Sequence, residues 1–363
     1  MTWPLVLLPS LFALSSAFAV VGLGLWLSGL PVVSVFSALL SGASGDFYRF
    51  SETLVKTCPI LLTALSVTIA LHAGLWNIGA EGQLLMGALA AAWCGQYAGV
   101  LPQALGVLLL CLAAMVGGAL WASCAAFLKN TRGVNEVIST IMLNFIASEL
   151  VSYGVHGPLM ESAAQYPQTD PLPVTAQLPR LFPPTRLHLG IVFSFGAALC
   201  IHVLLFYTKE GLKLRACGAN AIAARFAGIA VTRQLSLAFA LSGALAGLAG
   251  GVEVSGVTQR VYEKFSPGYG YTAIAVALVG QRAPLGVIGA ALFFGALEAG
   301  SASVQRVAGV SSALVAVIQA AVVFFLAAYS TAPVQKVLRQ TLRIGMRVGL
   351  LTSSAIAFLT AML

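Results

Sequence analysis

The chain has 363 residues, of which 59% are hydrophobic and 8% charged, and its formal net charge is +8. Soluble domains carry roughly 25% charged residues, so this composition excludes a soluble fold: apolar surface on this scale needs lipid as its solvent. Nor does the positive charge point to nucleic acid, because Lys and Arg sit in short segments between apolar runs, as orientation signals do.

Apolar runs separated by Gly, Pro and charge predict an all-α polytopic transmembrane helical bundle, forming a single domain over 1–363. About ten spans of about 20 residues are expected, some of them broken or re-entrant. In chain order they are Leu5–Leu30, Thr53–Ala73, Leu84–Leu101, Ala104–Leu128, Val137–Val155, Leu189–Tyr207, Leu235–Ser255, the short Tyr271–Val279, Leu285–Ala302 and Ser311–Tyr329. Between them lie a Gly-rich break (Gly74–Gln83), a Pro-rich loop (Gly157–Arg186) and a basic loop (Lys209–Arg233). Beyond the last span, Val334, Val337, Leu338 and Leu342 alternate with Lys336, Arg339, Arg343 and Arg347, a pattern for an interfacial amphipathic helix. An apolar stretch, Val348–Leu363, closes the sequence. The first apolar run lacks a basic leader and is too long for a cleavable signal peptide.

Alternating the spans puts 12 of the 19 Lys and Arg on one side, including the basic loop, Arg282 and the tail. The positive-inside rule assigns that side, and both termini, to the cytoplasm. The other side takes Arg49, Lys56, Arg180, Arg186, Arg260, Lys264 and Arg306.

Four motifs stand out. In Gly74–Gln83, Asn77 and Glu81 are four residues apart, and so share a face if helical. A carboxylate within a bilayer needs a partner or water. Trp76, Asn77, Glu81 and Gln83 therefore line a translocation path, or else they cap a helix start with Glu81 solvated. In Arg132–Asn144, Asn135 and Glu136 suit a helix N-terminus. Asn144, two turns further on, is either interhelical glue or a solute contact. In Lys209–Ile229, a short helix is predicted over Ala221–Ala227, with Ile222, Phe226 and Ile229 as an apolar stripe that needs a docking partner or a lipid surface. Gly243, Gly247 and Gly251 share a face for close helix packing. An apolar run, a polar break and a second run recur around Val279–Gly286, where Gln281 is a further path candidate; paired interruptions mark transport sites in repeat-built transporters. Arg260, Lys264 and Arg306 could meet an acidic external partner, or be solvated.

No phosphate-binding Gly-rich loop, zinc-protease or nucleophile-elbow motif occurs, so the chain is not expected to hydrolyse ATP or act as an enzyme. The six cysteines form no CxxC pair, and the four histidines have no metal-ligand spacing.

Asn-Ile-Gly-Ala-Glu-Gly-Gln (77–83), Gly-Val-Asn-Glu-Val-Ile-Ser-Thr-Ile-Met-Leu-Asn (133–144) and Gly-Ala-Asn-Ala-Ile-Ala-Ala-Arg-Phe-Ala-Gly-Ile (218–229) resemble the branched-chain amino acid and ribose-type ABC permeases. Within these the match is nearest to the nucleoside permeases that work with lipoproteins of the basic membrane protein type. The resemblance spans about residues 55–330. It implies a bacterial inner-membrane importer subunit that moves nucleosides, or else ribose or another simple sugar. Its partners would be a second permease, an extracytoplasmic solute-binding lipoprotein and an ATP-binding subunit that carries the ATP and Mg; no cofactor is expected in this chain. The resemblance also implies that Leu214, Arg215, Gly218, Asn220, Ile222, Ala223, Ala224, Arg225, Phe226 and Gly228 form the segment that couples to the ATPase. A stand-alone secondary transporter and a membrane-embedded enzyme are the competing readings. The first needs an ion-coupling carboxylate near the midplane, and the second a cluster of His or acidic ligands.

Overall fold

The computed structural model describes residues 3–311 and 313–329. The amphipathic and apolar tail expected over 334–363 lies outside the described residues. In order, the α-helices are α1 (Trp3–Leu27), α2 (Val32–Ser44), α3 (Phe47–His72), α4 (Ala80–Gly95), α5 (Gln103–Arg132), α6 (Glu136–His156), α7 (Gly190–Tyr207), α8 (Lys209–Ala219), α9 (Ala221–Phe226), α10 (Val231–Glu253), α11 (Tyr269–Val279), α12 (Pro284–Ala308) and α13 (Ala313–Tyr329). There is no extended strand among the described residues, only isolated bridges at Gln168–Tyr262 and Arg180–His188. The all-α expectation therefore holds. Six helices, α3, α5, α6, α7, α10 and α12, are long and apolar enough to cross a membrane.

Two compact units divide the chain. In the smaller, α1 meets α13 through the hydroxyls of Ser16 and Tyr329, 2.8 Å apart, and the rings of Phe12 and Tyr329, 6.2 Å apart. The larger, Val33–Val315, carries everything that follows.

At its centre is α3, buried on nearly every side. The Asp46 carboxylate caps its start by accepting from the Arg49 N–H at 2.8 Å. Its hydroxyls can be buried because Thr57, Thr63 and Thr68 each donate to the carbonyl one turn back. Around it pack α7, α10, α11 and α12. Next to this core, α4, α5 and α10 form a tight trio built on small residues. A Cβ at Gly243 would strike the Gly118 carbonyl, one at Gly247 the Ala114 carbonyl, and one at Gly87 the Gly247 backbone. Such contact lets dispersion act between backbones where lipid supplies no hydrophobic drive.

Helix α2 was not expected. At 13 residues, with serines and glycine interspersed, it is too short and too polar to read as a span. It is held because Leu39 and Gly42 abut Gly300 and Ser303 of α12. The predicted Leu84–Leu101 span is a shorter helix, α4, continued by a 3-10 turn over Gln96–Val100. In the basic loop, α9 matches its prediction to within a residue, whereas α8 was unforeseen; the Thr208 hydroxyl caps α8 by accepting from the Gly211 N–H.

In the larger unit the helix ends and loops form two layers. At one end, here the lower, the Gly74 backbone abuts Gly218, His72 Nε2 lies 2.9 Å from the Arg282 carbonyl, and Lys129 pairs with Glu136 at 2.6 Å. At the upper end the Pro-rich loop lies along residues 255–261. The Thr169, Leu172 and Leu178 N–H groups donate to the carbonyls of Val261, Gln259 and Ser255 at 2.8–3.0 Å. Arg186 is held there by Glu52, and Arg260 by Glu161.

Candidate functional site

Two broken helices meet inside the larger unit. After His72 the chain turns at Gly74 and runs back upward as an extended segment before α4 starts at Ala80. The Asn77 amide N donates to Ser242 of α10 at 2.8 Å, and Ser242 in turn donates to the Ser66 carbonyl of α3 at 2.8 Å. Ser66 is about 9 Å above the end of α3, so the segment re-enters the bundle. Asn77 and Gln83 also form a reciprocal amide pair, at 2.9 and 3.0 Å. On the other side, α10 loosens into a π turn over Val254–Thr258, and the chain descends to begin α11 at Tyr269.

The two starts touch. The Glu81 carboxylate, only 7% exposed, accepts from the Gly270 N–H at 2.7 Å and from the Ser266 hydroxyl. An anion at the positive end of a helix is favourably placed, and here it ties α11 to α4. Asn144 of α6 completes the junction: its oxygen accepts from the Gly82 N–H at 2.8 Å, and its nitrogen donates to the Ile78 carbonyl at 2.9 Å and approaches the Tyr271 hydroxyl at 3.4 Å.

This geometry revises several expectations. Glu81 is not a solvated cap. Asn77, Gln83 and Asn144 are buried and bonded to protein, so they shape a wall from behind. Two half-exposed aromatic side chains belong to these segments: Tyr271, 49% exposed, beside Asn144 at the junction, and Trp76, 48% exposed, lower down where its backbone N–H meets the Glu136 carboxylate. Gln281 sits in the lower turn, with positive φ, at the far end of α11 and about 15 Å from Gly270. The break that partners Gly74–Gln83 is therefore residues 254–268, not Val279–Gly286. The two arrangements run in opposite senses: α3, break, α4, α5 begins at the upper end, and α10, break, α11, α12 at the lower.

Lys56 was counted with the charges of the upper side, three residues into its expected span, but it lies well inside α3, about 14 Å from its start. Its ammonium donates to the Tyr269 hydroxyl at 3.1 Å and lies 5.8 Å from that ring's centre. The positive charges of Lys56 and Arg186 both act on the buried Glu253 at the end of α10. An ionisable side chain inside a span is a signal that marks such residues.

At the lower end, α8 and α9 present the coupling candidates. Leu214 and Ala224 are buried, Ala224 in a cluster with Cys217 and Val231, so both serve as support. Gly218 allows the close approach to Gly74. Arg215 lies 5.1 Å over the Phe206 ring. The Asn220 oxygen caps α9, accepting from the Ile222 and Ala223 N–H groups at 3.0 Å, and Gly228 ends it with positive φ. The predicted stripe divides: Ile229 packs on the cluster, while Ile222 and Phe226 are 71% and 90% exposed. Ala223 and Arg225 are exposed beside them. Lys213 and then Gln234 donate to Glu210 and hold its carboxyl below the usual range.

Of the upper cations, Arg260 is engaged with Glu161, Arg306 donates to Ser303 at 3.2 Å, and Lys264 is exposed.

A bundle of membrane-crossing helices with two half-helices meeting at their N-termini is the architecture of a multi-pass membrane transport subunit. The chain belongs to the family of branched-chain amino acid transport system permease components, whose family model matches residues 49–327. It is similar to the glucose ABC transporter permease protein TsgB13 of Haloferax volcanii, with 37% identity covering 86% of this chain and 84% of that protein. It is also similar to the guanosine ABC transporter permease protein NupP of Bacillus subtilis, with 35% identity covering 88% and 93%. A third relative, the nucleoside ABC transporter permease protein NupB of Lactococcus lactis, shares 32% identity over 80% and 82%. The chain is thus an ABC transporter permease, a transport component and not an enzyme, that works in association with ATP-binding and other ABC components.

Proposed function

We propose that this permease moves nucleosides into the cell. The observation that carries the proposal is the similarity to the guanosine permease NupP, which extends over 88% of this chain and so takes in both broken helices and the α8–α9 segment. The exposed aromatic faces of Tyr271, at the junction of the broken helices, and Trp76, below it, suit a solute with a flat base and a hydroxylated ring. Glucose is the second reading, supported by the 37% identity to TsgB13.

In this proposal the lower end faces the cytoplasm of a bacterial inner membrane, with both chain termini on that side. Ile222 and Phe226 then enter a cleft of the ATP-binding subunit, which holds ATP and Mg, while this chain needs no cofactor. A second permease, homologous or identical, supplies the facing wall of the path. The binding lipoprotein docks on the upper end, near Lys264, Arg260 and Arg306. Closure of the ATPase pair pushes α9, and the Gly74–Gly218 contact passes the push to the re-entrant segment.

The test is uptake of labelled guanosine, uridine, ribose and glucose in cells with and without this chain. Loss of nucleoside uptake on deletion, restored by the gene, supports the proposal. Loss of glucose uptake alone replaces it with the second reading.

A further inference from the structure

An ionisable group lies on the exposed face of a span, Glu149 of α6. Helix α6 buries Thr140, Asn144, Ala147 and Val151 against its neighbours and leaves the opposite stripe, Met142, Phe145, Glu149 and Tyr153, exposed. Glu149 lies about 20 Å from the start of α6 and about 10 Å from its end. Among the described residues it has no hydrogen-bond or ion-pair partner. Facing lipid at such depth costs about 2.5–3.5 kcal/mol on insertion scales, so this stripe is not a lipid face.

The residues around Glu149 show what covers it. Ser148 is exposed beside it, and one turn further up the Ser152 hydroxyl donates to the Glu263 carboxylate at 3.3 Å, which carries the polar strip to the upper rim. In the other direction, Asn144 leads to the half-exposed Tyr271 at the junction of the broken helices. The strip thus joins the upper rim to the site, and the whole of α6 carries no Lys or Arg. The exposed polar groups on the strip, at Ser148, Glu149 and Tyr271, are a carboxylate and hydroxyls, which favour a neutral solute rich in O–H and N–H donors and repel anions.

We propose that Glu149 lines the upper leg of the solute path and accepts hydrogen bonds from the hydroxyl or N–H donors of a neutral solute. This rests on the reading of the chain as an importer permease. Phosphorylated solutes are rejected on the same strip by charge.

The test uses the full transporter in nanodiscs, with the exposed Cys124 and Cys200 changed to serine. Glu149→Cys and, on the buried face of the same helix, Val151→Cys are treated with a charged, water-soluble methanethiosulfonate. Glu149→Cys is expected to react readily and Val151→Cys not. The solute that the wild-type complex moves, guanosine or glucose, should slow the reaction. In proteoliposomes, Glu149→Gln is expected to raise KM for that solute about tenfold or more, the scale of one lost charge-assisted hydrogen bond, with Vmax nearly kept. An unreactive thiol at 149 overturns the proposal, because the carboxylate is then sealed against another subunit. A reactive thiol without solute protection, together with an unchanged KM, overturns the solute contact. Thiol reactivity needs no transported solute, so failure of the nucleoside reading leaves that result intact.

Discussion

The Glu81 carboxylate and the Gly270 N–H, 2.7 Å apart, fasten the first turn of α4 to the first turn of α11. A methyl group on Gly270 would strike the Glu81 backbone, so the helix starts meet through bare backbone as well as through the carboxylate. Relative movement of the two half-helices must stretch or break this bond, which places it between the lower end and any change at Tyr271.

Glu81→Ala leaves the Gly270 N–H buried and unpaired, at a cost of about 1–3 kcal/mol. Glu81→Gln keeps an acceptor. Uptake in the glutamine variant is expected within a few-fold of wild type, and uptake in the alanine variant is expected to fall further than its membrane yield. Measuring both against immunodetected protein decides the point; wild-type uptake in Glu81→Ala would remove the residue from any working part.

The junction was half legible in the sequence. Asn77, Glu81 and Gln83 between glycines stand out because polar side chains in an apolar run need partners. The other half, 254–268, was hidden because Val254-Ser-Gly-Val-Thr continues the apolar pattern of α10, and a π turn leaves no compositional mark. Lys56 was assigned to the upper side because its span was started six residues late, at Thr53 in place of Phe47, which put the charge near the end of a span and not two and a half turns into a helix. The α9 boundaries were legible because Asn220 and Gly228 are local start and stop signals. What no single segment encodes is which buried amide meets which backbone group across the bundle.

Ile222 and Phe226 are the apolar side chains that α9 leaves bare, while Ala224 anchors the same helix from its other face. Replacing both with Asp should leave the fold intact, since neither contributes to a core. It should abolish uptake and the solute stimulation of ATP hydrolysis in the assembled complex. Ala224→Asp should instead lower the yield of folded protein. Normal ATP-driven uptake in the Ile222→Asp, Phe226→Asp double variant would rule out α9 as the docking element.

His188 sits in the upper loop layer with its Nδ1 accepting from the Gly190 N–H at 3.1 Å and its Nε2 without a partner among the described residues. Burial, reinforced by the Arg186 charge, pushes its pKa from 6.5 down to about 4. Between these values the unfolded chain takes up a proton that the folded chain refuses. Stability from this residue is therefore full above pH 6.5 and falls as the pH drops towards 4, by about 3 kcal/mol at most. Thermal melting of the detergent-solubilised protein should show a smaller drop from pH 7 to pH 4.5 in His188→Gln than in wild type. Equal slopes would mean that His188 is protonated at little cost.

Lys56 connects the start of α11 to the end of α10, through its bond to Tyr269 and its charge on buried Glu253. Removing Lys56 takes away the first of the two positive charges that act on buried Glu253 and leaves that carboxylate less well compensated. Lys56→Met should therefore sharply reduce the yield and melting temperature of the folded permease. Adding Glu253→Gln to it removes the stranded carboxylate and should recover much of the loss, although the Tyr269 hydroxyl stays without its donor. A double variant no more stable than Lys56→Met would show that Glu253 does not depend on Lys56. A single variant as stable as wild type would show that Arg186, already engaged by Glu52, balances Glu253 without help.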